Sequence, residues 1–206
     1  YVGFRRPDTS LAAADYIAVS PHCLSPAPTT IPLVEAAALP LAGLAALKGF
    51  AGLKAGEKVL IIGGNGGVGS TAIQVALALG AEVDAVTGVE EGVAKHVGAG
   101  QTFNYHITPP SAIPGRYSFI LDTAGINLLP YRALLAPSGR FTTVAPAVMD
   151  VLRSLVTRGP RIRIVSAGAN PTGLAWLAQK VDSGEIRPVI GDIYPAEHVR
   201  DAYRAY

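Results

Sequence analysis

The residues with the clearest chemical potential are Gly64, Gly66 and Gly69, which satisfy G-x-G-x-x-G within Gly63-Gly64-Asn65-Gly66-Gly67-Val68-Gly69. Each glycine in that spacing has a use. One allows a tight turn, one lets backbone approach a pyrophosphate, and one lets a helix pack close to a strand. The free N–H groups at the helix start, with the positive end of its dipole, then hold the phosphates. Glycine-rich turns alone are common, so the flanks decide. The apolar run Val59-Leu60-Ile61-Ile62 precedes the turn, and Ser70 to Leu79 follows with Ile73, Ala76 and Leu77 at helical spacing. A second strand, Glu82 to Thr87, comes next. This is the strand–turn–helix–strand order of a dinucleotide-binding unit.

The elements that must position this turn alternate along the chain. Strands are expected at 58–62, 82–87, 101–104, 117–121, 139–144 and 161–166. Helices are expected at about 67–79, 90–97, 126–135 and 148–157, with an irregular, proline-bearing connection at 105–116. A further helix starts at Pro171 with Asn170 as its cap and runs to Gly184, placing Leu174, Leu177 and Val181 on one face. Before the first strand, residues 33–50 read as helical with a break near Pro40. Tyr16 to Val19 reads as a short strand, followed by an extended stretch holding Pro21, Pro26, Pro28 and Pro32. The fold class is α/β: a Rossmann-type, doubly wound, six-stranded parallel sheet in the order 3-2-1-4-5-6. Ligand then sits at the carboxyl ends of the strands, at the switch point. Four segments meet there: the 63–69 turn, Thr87-Gly88, Asp122 to Gly125, and Val144-Ala145-Pro146.

Bulk properties narrow the function classes. The chain has 206 residues, half of them hydrophobic, which is ample for a buried core. A net charge of +2, with arginines paired only at Arg5-Arg6 and Arg161/Arg163, leaves no nucleic-acid footprint. The single cysteine, Cys23, rules out an intrachain disulfide and any multi-cysteine zinc site. The four histidines show no ligand spacing, so no metal site is expected. No uninterrupted apolar run is long enough to span a bilayer. A cytoplasmic protein is expected.

The second strand indicates which nucleotide fits. An acidic residue at its end would bind a ribose 2′-hydroxyl and favour NAD. Asp84 comes too early, and the end, Thr87-Gly88, carries no charge. That leaves room for a 2′-phosphate and favours NADP(H), with NAD(H) as the alternative. Glu90 and Glu91 are the counter-evidence, although both also read as first-turn residues of the next helix.

Several segments in order extend the pattern: Ala36 to Ala46, Gly52 to Leu60, Val97 to Gly100 with Phe103-Asn104-Tyr105, Leu121 to Gly125, Leu134 to Phe141, and Ile186 to Ile190. With them the chain resembles the zinc-free branch of the medium-chain dehydrogenases/reductases, the quinone oxidoreductase (zeta-crystallin-like) group. The resemblance implies that Gly66, Gly67, Val68 and Gly69 bind the pyrophosphate, Tyr105 contacts the 2′-phosphate, and Val144 and Ala145 lie near the nicotinamide. Several members place a lysine shortly after the second strand, where this chain has Val89 and Glu90. It also implies that residues 1–32 are the end of a GroES-like catalytic domain and its linker, that 33–206 are the nucleotide-binding domain, and that the sequence is truncated at both ends.

The implied chemistry is NADPH-dependent, zinc-independent hydride transfer to a small-molecule acceptor, a quinone or an α,β-unsaturated carbonyl. No catalytic residue is assigned. Two alternatives stand beside it: an enoyl reductase of polyketide or fatty-acid assembly, and a truncated, non-catalytic NADP-binding module. The sequence contains no Tyr-x-x-x-Lys, which argues against a short-chain dehydrogenase. A homodimer is expected through the sheet edge near 161–166, where Arg161 to Val165 alternate.

Overall fold

The computed structural model describes residues 18–88, 92–125, 127–145 and 148–205. Two helices open it, α1 (Leu33–Ala36) and α2 (Leu39–Gly49). The break between them falls at Ala37-Ala38, and Pro40 sits in the first turn of α2, where a missing N–H costs nothing. The alternating part follows: β1 (Lys58–Ile62), α3 (Gly67–Ala78), β2 (Glu82–Thr87), α4 (Val93–His96), β3 (Thr102–Asn104), β4 (Tyr117–Asp122), β5 (Leu135–Thr143), α5 (Val148–Val156), β6 (Ile162–Ile164), α6 (Pro171–Asp182) and α7 (Val199–Ala205). All six strands are parallel, in the order β3-β2-β1-β4-β5-β6. This is the expected doubly wound sheet, with its order reversing between β1 and β4.

Alternation along the strands divides the core. Val59, Ile61, Val83, Ala85, Phe119 and Leu121 face one side, where α2, α3 and α6 cover them with Leu44, Ile73, Ala76, Leu174 and Leu177. Leu60, Ile62, Val86, Ile120 and Phe141 face the other, covered by Leu128, Tyr131, Leu134 and, from α5, Val151. Because both faces are covered, the central strands read as continuous apolar runs. Ala94 of α4 joins the first side, so the second has the thinner cover among the described residues. No helix among the described residues is long and apolar enough to cross a membrane.

The local chemistry of the helix ends explains several boundaries. Asn170 caps α6 by accepting a hydrogen bond from the Gly173 N–H at 2.9 Å, with Pro171 in the first turn. Gly80, at φ +84°, ends α3, and the Ala81 N–H returns to the Ala76 carbonyl at 3.0 Å.

Some expected elements differ. The helix expected at 126–135 is a shorter 3₁₀ segment, Leu129–Leu134, which begins only after Asn127, left-handed at φ 49°. Strand β5 begins four residues earlier than expected, at Leu135, and its pairing with β4 is irregular between Tyr117 and Phe119. The helix expected at 90–97 is a single turn in α4, closed by Gly98 at φ +105°. Glu90 and Glu91 lie outside the described residues, as do Pro146 and the first half of the strand expected at Tyr16–Val19; Ala18 and Val19 have no regular structure. On α3, Ile73 and Ala76 are buried but Leu77 is partly exposed, lying over Gly98 instead of in the core. Strand β6 is shorter than 161–166, with Ile162 buried and Ile164 exposed.

The thinner side holds a buried charge cluster. Asp84 accepts from the Tyr117 hydroxyl at 2.9 Å and the Gln101 N–H at 3.0 Å, and pairs with Lys58 Nζ at 2.9 Å. Burial first, and then the bond and charge of Asp84, push the Tyr117 hydroxyl well above its ordinary pKa. Removing the carboxylate takes the main acceptor from the buried Tyr117 hydroxyl and leaves the Gln101 N–H and the Lys58 ammonium without their partner. Asp84→Ala is expected to lower stability by about 3 kcal/mol, read from the urea midpoint. A change under about 0.5 kcal/mol would mean the cluster contributes little.

Candidate functional site: the cleft at the start of α3

At the end of β1 the chain turns at Gly63, whose φ of +88° suits glycine. The N–H groups of Gly63 and Gly64 both donate to the Val86 carbonyl, at 2.9 and 3.1 Å, hooking the turn onto β2. A Cβ at Gly64 would lie 2.8 Å from the Ala85 Cβ. One at Gly69 would strike the Gly63 carbonyl oxygen directly. These two glycines therefore pack the helix against the turn and sheet. A Cβ at Gly67 meets nothing within 4 Å, so its open side faces free space.

That space is a cleft of about 310 Å³. Gly66, Gly67 and Val68 line it from the helix start, Thr87 and Gly88 from the end of β2, and Tyr105 from beyond β3. Thr123 and Ala124 line it from the end of β4. Ser70 is the first α3 residue whose N–H bonds back, to the Gly66 carbonyl at 2.8 Å. The N–H groups before it lie in the first turn, without intrahelical partners, at the positive end of the helix. A Cβ at Gly88 would come within 3.1 Å of the Tyr105 hydroxyl, so the ring lies directly beside the neutral end of β2. Tyr105 is half exposed and packs at a tilt of 47° against His106, with ring centroids 4.2 Å apart.

Of the residues singled out from the sequence, Gly66, Gly67, Val68, Thr87, Gly88 and Tyr105 come together around the cleft. Gly64 and Gly69 stand behind it as packing positions. Val144 and Ala145 are one loop away; the Ala145 Cβ lies 3.1 Å from where a Cβ on Gly125 would be. Asn65 was missed. It lines the cleft, and its Oδ1 accepts from the Ala94 N–H at 2.9 Å, stapling the turn to α4. Its variable place in the fingerprint gave no signal, because its partner lies across another element.

Asp122 lies under the β4 side of the site and is fully buried. Its carboxylate accepts from the N–H groups of Ala124 and Gly125, both at 3.0 Å, and from the Thr143 hydroxyl at 2.6 Å. Burial raises its pKa; the Thr143, Ala124 and Gly125 hydrogen bonds oppose the rise, and the nearby charge of Asp150 adds to it. With every close neighbour a donor, the carboxylate acts as an acceptor on both oxygens. Among the described residues, no group of three or more His, Cys, Asp or Glu is placed to hold a metal ion.

A family model described as zinc-binding dehydrogenase matches residues 97–206, slightly more than half of the chain. The chain belongs to this family of medium-chain dehydrogenases/reductases. Within it, the protein is quinone-oxidoreductase-like. It is 33% identical to the quinone oxidoreductase of Sus scrofa over 73% of this chain and 51% of that protein. It is 35% identical to the spectinabilin polyketide synthase system protein NorB of Streptomyces orinoci over 84% of this chain and 9% of that protein. The solved quinone oxidoreductase of Coxiella burnetii superposes with a TM-score of 0.82 at 27% identity, covering 90% of this chain and 61% of that one. The chain thus spans 51–60% of the length of the first curated relatives.

The glycine geometry separates two substitutions. Gly69→Ala forces α3 away from the turn and should cost about 2–3 kcal/mol. Gly67→Ala enters open space and should stay within about 0.5 kcal/mol of the parent. Urea midpoints of the two variants check this; equal costs would contradict the packing described.

Proposed function

We propose that this chain is the nucleotide-binding part of an NADPH-dependent, zinc-independent oxidoreductase that passes hydride to a small acceptor, a quinone or an α,β-unsaturated carbonyl. The observation that carries this reading is the cleft itself. Open backbone at Gly66-Gly67 meets the α3 N-terminus, and Tyr105 flanks an uncharged strand end at Thr87-Gly88. The N–H groups of Gly67 and Val68 would hold the pyrophosphate. Tyr105 would donate to the 2′-phosphate, and Val144 and Ala145 would flank the nicotinamide. NADPH supplies the hydride when bound; the protein orients it and keeps water away. The relatives named quinone oxidoreductase support the acceptor class. In this reading residues 1–32 end a GroES-like catalytic domain, residues 33–206 form the nucleotide domain, and the protein works in the cytoplasm.

A second reading, enoyl reduction in polyketide assembly, is favoured by the likeness to NorB. It uses the same cleft and the same hydride, and differs only in an acceptor activated as a thioester. Preferential turnover of an enoyl thioester over a benzoquinone by the full-length protein would select it.

A homodimer through β6 belongs to the same reading. Among the described residues one edge of β6 is unpaired, and Met149, Leu152 and Val156 form an exposed apolar stripe on α5, with Ile164 exposed on the strand. A chain with such an edge gains by pairing with a second copy.

Calorimetry tests the nucleotide. NADPH should bind at least about tenfold more tightly than NADH, and Tyr105→Phe should remove much of that difference while leaving NADH binding unchanged. NADH preference would overturn the cofactor assignment. Light scattering tests the dimer: two chains at micromolar concentration, with Ile164→Lys shifting the mass to one. A monomeric parent would contradict it.

A further inference from the structure

Asp122 ends β4 beside the point where the strand order reverses. Its carboxylate holds the Ala124 and Gly125 N–H groups on one side and the Thr143 hydroxyl on the other. The Thr143 oxygen, whose hydroxyl donates to Asp122, accepts in turn from the Ala145 N–H at 3.1 Å. A single buried carboxylate therefore joins the loop after β4 to the loop after β5. The loops touch, and a Cβ on Gly125, which sits at φ +74°, would lie 3.1 Å from that of Ala145. Thr123 is fixed separately, by its hydroxyl donating to the Ile62 carbonyl at 2.8 Å. Ala124 and Gly125 instead depend on Asp122 for their backbone partners.

The sheet order gives these loops a side. Tyr105 and Gly88 stand at the β2–β3 end of the cleft; Thr123 and Ala124 stand at the β4 end. An extended ligand whose phosphates lie on the α3 N-terminus must place its two halves on those two sides. Asp122 is fully buried, and its neighbours are protein donors, so it is not placed to exchange a proton with a substrate.

We infer that Asp122, acting through Thr143, is a positioning residue that sets the spacing of the loops receiving the nicotinamide half of the cofactor. Binding of that half depends on the Asp122–Thr143 bridge, and binding of the adenosine half does not. The inference rests on the cofactor reading given above.

Two probes separate the halves: NADPH, and 2′-phospho-ADP-ribose, which lacks the nicotinamide. Each is titrated into the 206-residue chain and its Asp122→Asn, Thr143→Val and Thr143→Ser variants. Thr143→Val removes the bridging hydroxyl and should weaken NADPH roughly tenfold, as should Asp122→Asn. Both should keep 2′-phospho-ADP-ribose within about twofold of the parent, which also reports that the cleft is folded. Thr143→Ser keeps the hydroxyl and should restore NADPH binding. Equal loss of both probes, or no loss of either, would overturn the inference while leaving the cofactor reading intact. A parent chain that binds neither probe would overturn both.

Discussion

The first turn of α3 rests directly on the turn that precedes it. The Gly63 carbonyl occupies the place where a side chain at Gly69 would begin. A Cβ on Gly64 would lie 2.8 Å from that of Ala85 in β2 and 3.1 Å from that of Ala94 in α4. This contact fixes where the helix N-terminus points. With the helix pressed onto the sheet, the unpaired N–H groups of its first turn aim out of the fold, above the strand ends, into the cleft. Lifting the helix by the width of a methyl group would turn them away. The cleft is thus a consequence of missing side chains at two positions that never face it.

The rest of the molecule supports that contact unequally. On one side of the sheet α2, α3 and α6 form a continuous apolar layer. On the other, a 3₁₀ segment and α5 cover the strands, and both buried carboxylates lie there: Asp84 with Tyr117, and Asp122 with Thr143. The two clusters serve different ends of the strands. Asp84 joins β1, β2 and β4 away from the cleft, where only stability is at stake. Asp122 lies next to the cleft, where the spacing of loops decides what can enter.

Much of this was legible in the sequence. Apolar or alternating segments between turn residues placed all six strands, and the doubly wound class supplied their order. The fingerprint gave the helix start, and Thr87-Gly88 with Tyr105 lie beside the cleft. The connection from β4 to β5 was not legible. Its apolar spacing suits a helix, but left-handed Asn127 interrupts it and a 3₁₀ segment follows. Leu77 fits the helical stripe by spacing, yet packs over Gly98, just past the end of α4, and is partly exposed. The parts of Asn65, Asp84 and Asp122 depend on partners 29, 33 and 21 residues away, and local pattern carries no record of those.

The central claim is that the backbone at the start of α3 holds a dinucleotide's phosphates. The most direct measurement is the amide spectrum of the ¹⁵N-labelled chain with and without NADPH. The account predicts that the Gly67, Val68 and Gly69 N–H resonances move most, with Gly88 and Tyr105 following. Shifts confined to other parts of the chain, with these amides unmoved, would contradict it.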